Sequence, residues 1–513
     1  MQSRKSNKNE TVPIKDETPM LPDTNGERRA PLFNARQLPV AAAGLLFGLL
    51  LGDGFTTANA IVAGLILFAT ALGARLCKRA MFALFFLCMA VGFIRIGIAA
   101  PSTLPTGYGT LTGRIAETPE QTDYTTWRIT LSDAALDGES IDGRVKLFAA
   151  FDEAPEYGQV VTAYAGVMPS DEKYQTNDRY RGVFTVAFAR GTATIVWRSP
   201  PDLYGVLLQT RRVIGERIDT LFSNQGGAAK GMLLGDKSDM DEETLTAFRD
   251  AGLAHLLAVS GLHVSVLAGA VSLLFRRNAW VRFFAVALFC ALYAALTAFS
   301  PSVVRAGLMI VVLLLSQPLK RRPDPISTMS AALACILFFH PFALWYAGFQ
   351  LSFTAVYALI LLAPILQKPI ARLGSVASGM ISASAAVVVG TLPASAYFFN
   401  RVQFLSLVTN LFVLLIVPVF LIPAFIGTAL SFLWYPLGNA VCMLPRFALD
   451  VIFAVATYGG SISAEIKAPS APAYLLYLAA ILPASRLCLR SRRRRALYAL
   501  SVWTVSVLLW IIL

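Results

Sequence analysis

From residue 253 onward the chain is a succession of apolar segments separated by brief, mostly basic breaks, and no other feature constrains its fold as strongly. Several of these runs approach or exceed the ~18–20 residues with which a helix spans a bilayer. Inside hydrocarbon the backbone finds no water, so such runs must close their own hydrogen bonds as helices. Of 513 residues, 56% are hydrophobic and 15% charged, far more apolar than a soluble globular chain. The pattern predicts a polytopic α-helical membrane protein. No internal repeat is evident, so it does not specify an inverted-repeat transporter.

Three earlier apolar segments lie at 38–51, 58–72 and 81–99. Arg75, Lys78 and Arg79 place the loop between the second and third in the cytoplasm by the positive-inside rule. The 1–37 tail is then cytoplasmic and the block after Ala100 lies outside. The first two segments are short, and a re-entrant pair is an alternative that leaves tail and loop on one side. The tail mixes charges of both signs with Pro and Asn and reads as disordered. It is too long and too acidic for the n-region of a cleaved signal peptide. Arg276 with Arg277, Lys320 with Arg321 and Arg322, 368–372 and 486–495 alternate as further cytoplasmic loops. That alternation needs one or three crossings between 425 and 458, where Pro436 and Pro445 interrupt the run. The net charge of +13 gathers in these breaks, so membrane orientation explains it better than an anionic partner.

Residues 101–200 have a different composition, with five short alternating runs at 109–116, 126–131, 143–149, 158–165 and 183–189 joined by Gly- and Asp-rich connectors. Five strands in so few residues predict a small extracytoplasmic β-barrel, OB-like, a scaffold often used for single-stranded nucleic acid. Tyr124, Trp127, Tyr164, Tyr174 and Tyr180 either form stacking platforms or pack the barrel. Acidic residues outnumber basic ones in this block, which argues against a strong electrostatic footprint on DNA. Residues 201–251 read as interfacial amphipathic helices. Leu207, Ile214, Ile218 and Leu221 share one side of the first. Asp239 and Glu242 stand at capping-box spacing before the second, which ends at Gly252. Between them, 231–238 superficially suggests a phosphate loop but carries Asp236 where Gly must precede the Lys, so no nucleotide motor is read here.

The six cysteines, Cys77, Cys88, Cys290, Cys335, Cys442 and Cys488, lie in or beside apolar segments without CxxC or His-Cys spacing. Neither a zinc site nor a disulfide framework is indicated, and no cofactor is expected.

Two of the three histidines fall within the apolar stretch GLAHLLAVSGLHV, 252–264. Ionisable groups at membrane depth are costly and mark functional sites by default. On an ideal helix His255, Ser260 and His263 share one sector of about 140° and could line an aqueous face. Gly261 would admit a neighbouring backbone or break the helix. Alternatively each histidine bonds a neighbouring carbonyl. Arg305, a turn inside the next apolar segment but one, snorkels, pairs with an acid, or faces a polar cavity where its fork suits phosphate. Gln350 and Ser352 place an amide and a hydroxyl in another segment, for a lumen or for interhelical bonds. Asn400 and Asn410 read as glue between helices.

HLLAVSGLHV (255–264), PSVVRAGLM (301–309) and GFQLSF (348–353) resemble, in order, three motifs of the ComEC family of competence proteins. KGMLLGD (230–236) is similar to the family's lead-in, and the 101–200 block to its extracellular OB-like domain. The resemblance covers 38 to about 423. It implies that single-stranded DNA crosses the bacterial inner membrane through the competence domain at 252–485, with 486–513 a basic loop and final segment. Implied partners are membrane lipid and a separate DNA receptor, nuclease and cytoplasmic helicase, and the chain could self-associate as a homo-oligomer. Many relatives end in a metallo-β-lactamase-like nuclease that needs a His-x-His-x-Asp-His cluster. With only His255, His263 and His340, this chain is expected not to host it. The cysteine-free 101–200 block also excludes an extracellular disulfide found in some relatives.

The leading expectation is thus an inner-membrane channel for transforming DNA, working without covalent chemistry, with His255, Ser260, Gly261, His263, Arg305, Gln350 and Ser352 along the passage. Transport of another polymer or a lipid is a variant. An intramembrane hydrolase with Ser260 as nucleophile and a histidine as base is the rival from another class, and a structural scaffold the third.

Overall fold

The computed structural model describes residues 37–465, apart from 54–56, 77–79, 102–103, 123–125, 171–177, 199–201, 254, 258, 321–323, 400, 404–405 and 460–462. The expectations for the 1–36 tail and for the 486–513 stretch fall outside the described residues. So do those for Cys77, Lys78, Arg79, Tyr124, Tyr174, Arg321, Arg322, Asn400 and Cys488.

The three N-terminal apolar segments form α1 (Gln37–Gly52), α2 (Thr57–Leu76) and α3 (Ala80–Ala99). Glycine lets α1 and α3 touch backbone to backbone: a Cβ on Gly48 would run into the Met89 carbonyl, and one on Gly92 into that of Leu45. Without a hydrophobic drive between helices in lipid, such close van der Waals contact holds them together.

The 101–200 block forms a seven-stranded sheet. Its strands are β1 (Gly107–Ile115), β2 (Glu120–Gln121), β3 (Thr126–Leu136), β4 (Glu139–Ser140), β5 (Arg144–Phe151), β6 (Gln159–Pro169) and β7 (Val183–Arg198). The five long strands coincide with the five alternating runs, and the reading missed only β2 and β4. The order is β1-β6-β7-β5-β3-β2, with β4 on β3, and β1 also pairs with β3. β5 and β7 run parallel, whereas β6 and β7 are antiparallel. Alternation decides the faces. Val145, Leu147, Ala149, Val161, Ala163 and Ala165 turn inward to the sheet's own core, while Lys146 and Phe148 turn out. Asp137 and Gly138, both at positive φ, make the two-residue turn from β3 to β4.

The helical part continues as α4 (Leu203–Phe222), α5 (Gly226–Leu234), α6 (Glu242–Asp250), α7 (Gly261–Leu274), α8 (Ala279–Leu296), α9 (Pro301–Leu315), α10 (Pro325–Phe339) and α11 (Ala347–Leu361). Then come α12 (Ala363–Gln367), α13 (Ser375–Phe399), α14 (Ser406–Leu433), α15 (Tyr435–Val441) and α16 (Met443–Gly459). A short strand pair, Arg401–Gln403 with Ser463–Glu465, went unread in the sequence. Capping sets several starts. Asn278 accepts from Trp280 and Val281, and Asp324 from Ser327 with Pro325 behind it. α6 is capped by Asp241, which accepts from Thr244 at 2.8 Å, and not by Asp239, which instead pairs with Lys230.

Five helical stretches among the described residues are long and apolar enough to cross a membrane: Phe82–Ala99, Ala279–Leu296, Ser375–Phe399, Leu407–Leu433 and Tyr435–Tyr458. α8 turns Phe284, Leu288 and Leu292 outward, a stripe at i, i+4, i+8 that water would not tolerate. After the break at Trp434, the stretch with Pro436 and Pro445 forms one further candidate span, interrupted at Cys442.

Two cores share α9. Val303, Ala306 and Ile310 join the core of α4–α8, α14 and α16, whereas Leu308 and Met309 join that of α1, α3, α10 and α11. The sheet docks on the second core through Phe184 against Phe342 and Tyr180 against Tyr346. It meets α4 through Tyr157, whose hydroxyl donates to Asp202 at 3.0 Å, and through Arg114, which pairs with the same carboxylate.

Candidate functional site

The single helical sector expected for His255, Ser260 and His263 does not form, because the helix starts only at Gly261. α6 ends in a Schellman arrangement that turns the chain away: Gly252 takes φ +75°, its amide donates to Arg249 O at 3.1 Å, and that of Leu253 to Phe248 O at 2.8 Å. The non-helical stretch that follows is held by Leu253, Leu256, Leu257 and Val259, all buried in the first core, and by Thr409, whose hydroxyl donates to Ala251 O. Irregular backbone at membrane depth is tolerated only where protein buries it or where it lines a watery cavity.

Ser260 is the N-cap of α7 in a reciprocal capping box with His263. The Ser260 amide donates to His263 Nδ1 at 3.3 Å, and Ser260 Oγ lies 2.7 Å from the same nitrogen. Nδ1 therefore carries the lone pair and the ring proton sits on Nε2. That Nε2–H is buried without an acceptor among the described residues, in a side chain 0% exposed. His255 has the opposite tautomer, since its Nδ1 faces the Gly252 carbonyl at 3.0 Å and must donate. Its side chain is accessible to solvent. On α7, Gly261, Ser265 and Gly269 present a small, accessible face at fourfold spacing.

The three sequence motifs meet at the first turns of α9. Ser302 Oγ donates to the Val259 carbonyl, and Arg305 Nη2 to that of Gly348 at 2.9 Å. Ala306 lies 3.7 Å from where a Cβ on Gly261 would stand. Arg305 is 4% exposed, so it does not snorkel, and no ion pair reaches it among the described residues. Its electrostatic neighbours are Tyr180 and Tyr346, while that of His263 is His255. The candidate residues thus fall into two groups, one reached from Ser302 and the other from Arg305. Gln350 belongs with Arg305, and its amide donates to Leu344 O at 2.9 Å. Ser352 follows, half-buried, on the same helix, and Asn410 is half-buried on α14.

Sequence reasoning missed two arrangements. Lys230, in the lead-in, is buried between Asp219 and Asp239. Burial works against its charge, but the two carboxylates more than offset that and raise the ammonium's pKa. On the sheet's outer face, Tyr108, Tyr164 and Phe188 are exposed, Phe148 stacks on Phe188 at 5.2 Å, and Arg190 lies 4.2 Å over Tyr108. Alternation within β1, β5, β6 and β7 was the available signal. Of the aromatics singled out earlier, Trp127 packs on the sheet core, Tyr180 docks on Tyr346, and Tyr164 is exposed. Burial pushes the Tyr180 phenol up, with Arg305 nearby working against it.

Residues 232–493 match the family described as "Competence protein". ComE operon protein 3 of Bacillus subtilis is 33% identical over 211 residues, 40% of this chain and 27% of that protein. Competence protein ComA of Neisseria gonorrhoeae is 33% identical over 149 residues, 26% of this chain and 21% of its own. Recombination protein 2 of Haemophilus influenzae is 29% identical over 151 residues, 27% of this chain and 19% of its own. The matched stretches span about a quarter of these curated relatives or less. No solved structure matches the chain.

Proposed function

Because the chain belongs to the competence-protein family, we propose that it is a multi-pass channel of the bacterial inner membrane that passes single-stranded DNA into the cytoplasm during natural competence. One observation carries this reading. Non-helical backbone before Gly261 runs beside an accessible His255 and the small face of Gly261, Ser265 and Gly269, among helices that turn apolar side chains outward. That is the environment in which irregular backbone lines a polar passage. His255, Ser260, Gly261 and His263 lie along one part of it, and Arg305, Gln350 and Ser352 along another. No covalent step is needed. The 101–200 block is read as an extracytoplasmic OB-like barrel, because β1 pairs with both β6 and β3 and so sets the five long strands in a cycle. Tyr108, Tyr164 and Phe188 then offer faces on which bases stack. The 1–37 tail, the 38–100 helices, the 201–251 interfacial helices, the 252–485 competence domain and the 486–513 end complete the proposed organisation. A DNA receptor, a nuclease and a helicase act as separate partners.

The Ser260–His263 distance of 2.7 Å is the observation in favour of a hydrolase. The same contacts form a helix cap, and His263 Nε2 has no carboxylate to orient it among the described residues, so the channel is the better account.

Uptake of labelled DNA, in a competent host whose own homologue is deleted, tests the passage. Gly261→Ala adds a Cβ at ordinary contact distance from Ala306 and is expected to support uptake. Gly261→Leu, at matched membrane abundance, is expected to block it. Parental uptake through Gly261→Leu would refute the passage.

A further inference from the structure

The Arg305 guanidinium is a buried charge that no carboxylate faces among the described residues. Nη2 donates to Gly348 O at 2.9 Å, and Nε is buried without an acceptor among the described residues. Arg305 sits one turn inside α9, and the carbonyl it touches belongs to the first turn of α11, which starts at Ala347. Both helix N-termini carry partial positive charge. A buried guanidinium without a counter-charge is unfavourable unless an anion joins it. Phosphate oxygens suit the fork of the guanidinium.

Beside this place Tyr180, from the sheet domain, lies flat on Tyr346, with ring centroids 4.6 Å apart and planes 11° from parallel. Both rings are half-buried, and both phenols are within electrostatic reach of Arg305. The His340 ring is also a neighbour of Tyr180, with centroids 6.0 Å apart. Aromatic faces next to a cation match the two parts of a nucleotide, base and phosphate.

We infer that Arg305 and the Tyr180–Tyr346 pair form a site for one phosphate and an adjoining base of an entering single strand, shared between the sheet domain and the helices. This inference rests on the channel reading and adds the place where the strand is first gripped. The phosphate takes the free Nε–H and relieves the buried charge. The base stacks on a tyrosine face, so the sheet domain completes the site.

The test uses the full chain in phosphatidylcholine nanodiscs and an oligothymidylate carrying one 5-iododeoxyuridine, whose photocrosslinks to aromatic rings are mapped by mass spectrometry. Crosslinks at Tyr180 or Tyr346 are expected, and Arg305→Gln should abolish them while weakening oligonucleotide binding about ten- to a hundredfold. Arg305→Lys keeps the charge and guards against a folding artefact. It should retain the crosslinks at reduced yield. Tyr180→Phe should bind like the parent, and Tyr180→Ala about tenfold more weakly. Crosslinks only elsewhere, with affinity unchanged in Arg305→Gln, would overturn this site and leave the channel standing. Absence of oligonucleotide binding, together with parental uptake through Gly261→Leu, would remove both. In nanodiscs containing phosphatidylglycerol, one such lipid retained in native mass spectra, lost in Arg305→Gln and not displaced by oligonucleotide, would assign the site to a lipid headgroup and overturn the inference.

Discussion

Replacing Ser260 with Ala separates a helix cap from a catalytic nucleophile. The substitution deletes the Oγ that accepts at the start of α7 and lies 2.7 Å from His263 Nδ1. Loss of a serine N-cap costs about 1 kcal/mol. The His263 ring keeps one partner, because the amide of residue 260 still donates to Nδ1. The larger penalty for stranding a buried polar group is therefore avoided. Against a total stability of about 5–15 kcal/mol, such a loss leaves nearly all molecules folded. The unfolding temperature should fall by a few degrees and uptake by less than about tenfold. His263→Ala is expected to be worse, about 3–5 kcal/mol, since it removes a fully buried ring and the other half of the capping box. The double variant should be less damaging than the sum, because both single changes break the same pair. Loss of a serine nucleophile would instead lower the rate by about a millionfold. The assays are DNA uptake at matched membrane abundance and thermal unfolding of the purified chain. Uptake abolished in Ser260→Ala, with an unchanged unfolding temperature, would refute the cap and favour the hydrolase.

Two further outcomes are expected. Glu139→Cys, on the exposed turn side of the sheet and in a background without native cysteines, should react with a membrane-impermeant maleimide in intact spheroplasts; protection until lysis would overturn the extracytoplasmic placement. Asp202 accepts from the Gly205 amide, Tyr157 and Arg114, which hold its carboxyl below the usual range, the amide contributing most. A lowered folded pKa stabilises above the unfolded pKa and is lost as pH falls through the folded one. Thermal stability should therefore drop more steeply below about pH 4 in the parent than in Asp202→Asn, and parallel curves would show that Asp202 does not anchor α4 to the sheet.

The sequence by itself determined what periodicity and hydropathy control. Apolar runs closed into helices at 38–51, 58–72 and 81–99 within a few residues, because a hydrocarbon-compatible backbone has no other way to satisfy its amides. Strict alternation likewise located all five long strands, since one face of each must be buried. The three family-like motifs were legible as strings, and the match to the competence-protein family covers all three and the lead-in from Met232. Their arrangement was not. An ideal helix drawn through His255, Ser260 and His263 ignores the αL turn at Gly252 and the cap at Ser260, two local backbone choices that outweigh apolar periodicity. Asp239 shows the same limit: capping-box spacing suited it, but a buried ammonium 9 residues away recruited it instead. Only the tertiary structure decided that Ser302 and Arg305 reach different neighbours from one helix, and that Tyr180 crosses from the sheet to lie on Tyr346. Contacts between residues 43 and 166 positions apart depend on how elements pack. No local pattern encodes that packing, because the side chains involved satisfy the same local rules wherever their helix or strand finally docks.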